Sequence, residues 1–122
     1  MLKTIFQALC DHLSPLNTPV YLEDCVPEGT ALPYITADIR PPLSAHTDGS
    51  LTLTCWCQGS TANPQRLSQA DLLIARLPAR GCRLATAIGA LILRQKGATL
   101  CIRESAAQGV KITWKLQFFP AE

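Results

Sequence analysis

Val110-Lys111-Ile112-Thr113-Trp114-Lys115-Leu116-Gln117-Phe118 alternates apolar and polar residues without interruption. Successive side chains of a strand point to opposite faces, so Val110, Ile112, Trp114, Leu116 and Phe118 share one face and Lys111, Thr113, Lys115 and Gln117 the other. A two-faced strand belongs to an antiparallel sheet with one side on the core and one toward water or a polar partner. Upstream, Ala98–Arg103 alternates in the same way, and Ala107-Gln108-Gly109 reads as the turn of a hairpin, with Lys96-Gly97 as a turn before it. Further back, Leu84–Leu93 is apolar nearly all round and contains Gly89. That pattern suits a buried strand or a buried helix alike; the strand is the reading adopted.

Toward the N-terminus, Leu51, Leu53, Cys55 and Cys57 alternate with Thr52, Thr54 and Trp56, predicting another strand. Pro19–Leu22 and Tyr34–Ile39 read as two more. Leu2, Ile5, Phe6, Leu9 and Leu13 recur at helical spacing up to Pro15. Asn63 and Pro64 suit the start of a second helix whose stripe is Leu67, Ala70, Leu73, Ile74 and Leu77, before Pro78. Residues Arg40–Ser50, with Pro41-Pro42 and Asp48-Gly49, form a loop long enough to suggest a contact role. The expected fold class is α+β: an antiparallel or mixed sheet with two helices packed on one face, in a single domain over residues 1–122.

The sequence has 122 residues, 48% of them apolar and 16% charged, a balance that supports a folded core. No apolar run approaches the roughly 18 residues of a membrane span. Asp11 and His12 stand where a signal peptide would continue its apolar stretch, so export is not expected. The six cysteines, Cys10, Cys25, Cys55, Cys57, Cys82 and Cys101, fall mostly in apolar segments, where a thiol behaves as a small hydrophobe.

Catalytic chemistry has few footholds. The only imidazoles are His12 and His46, neither in a nucleophile–base motif. Cys55-Trp56-Cys57 places two thiols on one strand face, but tetrahedral zinc wants two more ligands at recognisable spacing. Glu23-Asp24 reads as a solvated strand end, because adjacent strand residues diverge. No glycine-rich phosphate loop is present, and neither a cofactor nor a metal is expected. The basic stretch Arg76–Arg103 lacks any helix-turn-helix or stacking motif for nucleic acid.

Charge is divided along the chain. Residues 1–50 carry six acids against Lys3 and Arg40, a net −4; residues 51–122 carry nine bases against three acids, a net +6. Head-to-tail contact joins two different patches of one chain, and opposite charges on the two halves suit it. Glu23, Asp24 and Glu28 are the acidic candidates, and Arg76, Arg80 and Arg83 the basic ones. Arg40, His46 and Asp48 in the loop, with Lys111 and Lys115 on the polar strand face, complete the candidate interface.

In element order, with Val26-Pro27-Glu28-Gly29-Thr30, Leu32-Pro33-Tyr34-Ile35, the strand Leu51–Trp56 and the closing Val110–Leu116, the chain resembles the tail terminator, or tail-completion, proteins of long-tailed bacteriophages. The resemblance implies a small α+β protein without enzymatic activity. It would assemble as a homo-oligomeric ring, commonly a hexamer, that caps the tail tube and presents a surface to the head. The implied partners are other copies of the chain, the tail tube protein and a head-completion or neck protein. No membrane is involved, and nucleic acid enters only as DNA passing through the lumen. Its place would be the virion tail, and the host cytoplasm during assembly. A neck or head-completion protein and a small cellular binding module are the alternatives.

Overall fold

The computed structural model describes residues 2–31, 33–41, 48–58, 71, 73, 75–78, 81–86, 89–104 and 107–120. Helix α1 (Leu2–Leu13) is followed by strands β1 (Val20–Leu22), β2 (Tyr34–Arg40), β3 (Gly49–Gln58), β4 (Cys82–Thr86), β5 (Gly89–Glu104) and β6 (Ala107–Pro120). They form one mixed sheet in the order β1-β2-β3-β6-β5-β4. Only β1 and β2 run parallel; the other neighbours are antiparallel.

The alternating strand that fixes the sheet's two sides lies within β6, at the centre. Val110, Ile112, Trp114 and Leu116 are buried, and Phe118 packs at the edge of the same core. Pairing extends their face sideways, through Leu53↔Ile112 and Leu51↔Trp114 on β3 and Leu93↔Leu116 on β5. Ile5, Leu9 and Leu13 of α1, one helical face at four-residue spacing, join this cluster. Leu2, on the predicted stripe, is instead exposed. Pro15 ends the helix in a 3₁₀ turn, and Asn17 takes the left-handed conformation that closes it.

Of the second predicted helix, over 63–77, most lies outside the described residues. Asp71, Leu73, Ala75 and Arg76 have helical backbone, and the Leu77 amide donates to the Leu73 carbonyl at 2.8 Å. Leu73 and Leu77 are fully buried in the same core. The Trp114 indole N–H, also buried, reaches the Leu77 carbonyl at 3.4 Å, a long bond that gives a buried donor its acceptor. The described fold is therefore mostly sheet, with α1 as its one complete helix.

Four boundaries differ from expectation. Leu84–Leu93 is an antiparallel pair, β4 and the start of β5, with Thr86 opposite Gly89. The linking residues 87 and 88 are Ala-Ile, which carry no turn chemistry. Lys96-Gly97 is a register shift inside one continuous strand: Gln95 pairs Trp114 and Gly97 pairs Thr113, leaving Lys96 as the extra residue of a bulge. Ala107-Gln108-Gly109 is paired strand, with the hairpin closed between Glu104 and Ala107. The loop after β2 is also shorter than expected, since Arg40 and Ser50 pair with each other at the ends of β2 and β3.

The Val26–Thr30 segment is a tight turn, in which the Thr30 amide donates to the Pro27 carbonyl at 3.2 Å. Gly29 sits at its third position with φ +80, a conformation natural to glycine in a type II turn.

Candidate assembly surface

The side of the sheet away from α1 carries no described helix. Its centre is a threonine ladder: Thr36 on β2, Thr52 and Thr54 on β3, and Thr113 on β6, with the Thr52 and Thr113 hydroxyls 3.2 Å apart. Thr36 and Thr54 are nonetheless buried, because Trp56 lies across them. Its indole N–H donates to the Thr36 hydroxyl at 3.0 Å. Its six-membered ring lies against Gly109, where an added Cβ would stand 3.1 and 3.2 Å from ring carbons and 2.8 Å from Thr54 Cγ2. Only a residue without a side chain leaves that space. Tyr21 and Tyr34 stack edge to face nearby, with centroids 6.0 Å apart.

Farther along the same face the charged residues gather. Asp48 accepts from Lys115 Nζ at 3.0 Å and from Gln117 Nε2 at 3.1 Å. These two hydrogen bonds hold its carboxyl below the usual carboxylate range. Arg40, Ser50 and Lys96 join Asp48 and Lys115 around an open cleft at the loop's base. Arg40 also stands 3.7 Å from Asp38, an exposed and weak pair. Arg94 is directly opposite Lys115. The face is thus aromatic and hydroxyl-rich at one end and predominantly basic at the other.

The acidic and basic candidates separate across the sheet. Glu23 and Asp24 are exposed and follow β1, one edge strand, and Glu28 is exposed in the turn beyond. Arg83 is exposed on β4, the opposite edge strand. Lys111 is half-buried on the polar face of β6. His46 and Arg80 lie outside the described residues.

Arg76 has an internal role. Its Nη2 and Nε donate to the His12 carbonyl at 2.8 and 3.3 Å, tying the end of α1 to the second helical segment. The tie is reciprocal: His12 Nε2 is 2.6 Å from the Arg76 carbonyl. Cys82 Sγ stands 3.7 Å from the same nitrogen and the same distance from that carbonyl. A carbonyl accepts only, so Nε2 carries the proton there and cannot take one from the thiol. Desolvation raises the Cys82 pKa, with Arg76 partly opposing it. This cysteine–histidine contact is a latch joining α1, the helical segment and β4.

Cys55 and Cys57 do share a buried face of β3. Burial, helped by Cys57, pushes the Cys55 thiol up to about 12, which suppresses the thiolate a metal or nucleophilic role requires. Among the described residues no group of three or more potential metal ligands gathers. Nor is any described helix long and apolar enough to cross a membrane.

Lys96 and Arg94 carry no motif in the linear sequence. Strand register is what brings them beside Lys115, and the bulge at Lys96 hides that register from simple alternation. The threonine ladder was more accessible, since Thr52, Thr54 and Trp56 alternate as Lys111, Thr113 and Lys115 do. No protein-family model matches the chain, and neither a curated protein nor a solved structure matches it.

Proposed function

We propose that this protein is a structural component of a long-tailed phage or prophage tail: a ring-forming tail terminator that caps the tube and works by binding, without turnover. The observation carrying the reading is the distribution of charge across the described sheet. Exposed acids follow β1 at one edge, and exposed bases lie at the opposite side, Arg83 on the edge strand β4 and Arg94 and Lys96 on its neighbour β5, an arrangement complementary to a copy of itself through head-to-tail contact. The open polar face supports it too, since a hydroxyl-rich and basic wall suits a surface that meets polar partners or lines a lumen. The resemblance to tail terminators rests on element order and the short segments Val26–Thr30, Leu32–Ile35, Leu51–Trp56 and Val110–Leu116.

Electron microscopy of tail tubes assembled with and without the protein tests the function. The reading expects a ring seated at one end of each tube, and tails unable to join heads when the gene is deleted. Normal, head-joined virions from the deletion strain would overturn it.

A further inference from the structure

The order and register of the strands leave a second free edge that charge alone does not reveal. β4 pairs with β5 only from Gly89 to Leu93. Gly81, just before β4, still flanks Arg94, and from Gln95 to Glu104 the outer side of β5 pairs with no strand among the described residues. Across the sheet, β1 covers β2 only at Ile35, Thr36 and Ala37, and its own outer side is likewise unpaired among the described residues.

These two edges stand at the same height. Leu22 pairs Ala37, Ala37 pairs Leu53, Leu53 pairs Ile112 and Ile112 pairs Ala98, so β1 ends on the rung of Ala98. The next rungs run from Asp38 to Gly97, from Ile39 to Gln95 and from Arg40 to Arg94. The Glu23 amide still bonds the Ala37 carbonyl at 3.0 Å, and the Cys25 amide then donates to the Leu22 carbonyl at 2.9 Å, so Glu23 and Asp24 form the turn that ends β1, on the side of the rungs that carry Lys96 and Arg94 at the far edge. All four side chains are exposed. Strand direction fits as well, because β1 runs parallel to β6 and hence antiparallel to β5.

We infer that β1 of one copy adds to the free edge of β5 of the next, antiparallel, with Glu23 and Asp24 facing Lys96 and Arg94. This contact rests on the assembly reading above and identifies its surface. A rotation about an axis along the strands repeats the contact and continues the sheet from copy to copy. Charges on a free edge ordinarily oppose unwanted pairing, and a lysine in a bulge is such a guard. Opposing acids turn that guard into a selective attraction for this one partner. The added strand is short, so closure of the ring supplies the durability that one contact lacks.

Sedimentation at low salt, over a dilution series, tests it with Glu23→Lys/Asp24→Lys, Arg94→Glu/Lys96→Glu and an equal mixture of the two. Each variant alone should sediment as a monomer with an unchanged circular dichroism spectrum, and the mixture should regain the wild-type mass because each edge then meets its opposite. Variants that assemble like the wild type, or a mixture that stays monomeric, overturn the contact while leaving assembly standing. A wild type monomeric throughout overturns assembly and this contact with it. Amide exchange on the wild type gives a reading independent of variant folding. Amides of residues 20–22 and, on β5, some of those of residues 94–101 should slow as concentration rises, and rates indifferent to concentration overturn the contact.

Discussion

At the scale of single residues, Gly109 shows how local space decides a surface. Trp56 can lie over the threonine ladder only because no Cβ stands beneath its ring. Gly109→Ala should therefore destabilise the protein by about 1–3 kcal/mol, the range for overpacking. Gly97→Ala, whose Cβ would meet nothing within 4 Å, should stay within about 0.5 kcal/mol. Urea unfolding followed by tryptophan fluorescence checks both. Cys55 makes a different prediction. Its folded pKa of about 12 lies above the ordinary 9.0, so folding favours the protonated thiol. That contribution is complete below pH 9 and is lost as pH rises toward 12. Cys55→Ala should flatten part of the fall in stability over that window. In alkylation of the native protein followed by mass spectrometry, the exposed Cys25 should be labelled well before Cys55.

At the scale of elements, the fold depends on the latch where α1, the second helical segment and β4 meet. His12→Ala removes an imidazole donor from the Arg76 carbonyl and should cost about 1–2 kcal/mol, read from the urea midpoint at constant slope. The strands were legible in the sequence where burial is one-sided. Val110–Phe118 and Leu51–Cys57 alternate because one face meets α1 and the other does not. Leu84–Leu93 was harder to divide, because Ala87-Ile88 lacks turn residues and most of the residues flanking it in sequence are apolar. Lys96-Gly97 imitates a turn in sequence, yet a bulge accommodates the same residues without ending the strand. The latch was not legible at all: His12, Arg76 and Cys82 are brought together by tertiary packing across 64 and 70 residues of chain.

Across the whole molecule, the described residues give the sheet one face covered by α1, one face with no described helix, and charges of opposite sign toward its two edges, the features on which the proposed assembly rests. The division of charge along the sequence suits a head-to-tail contact. Its original basic candidates are altered by the structure, which occupies Arg76 internally and leaves Arg83, Arg94 and Lys96 exposed on the side opposite Glu23 and Asp24. Arg40 and Asp48, which flank the segment 42–47 between β2 and β3, stand at the basic end of the face with no described helix. Deleting residues 42–47 and closing the gap with two glycines should leave a folded protein that fails to complete tails. A complementation assay that yields normal tails would make the loop dispensable. Screening acts on exposed charges, so the oligomer should weaken as salt rises. Native mass measurement of the wild-type protein at low and high ionic strength tests its assembly. A closed oligomer at low salt that shifts toward monomer at high salt is the predicted result, and a monomer under both conditions would contradict it.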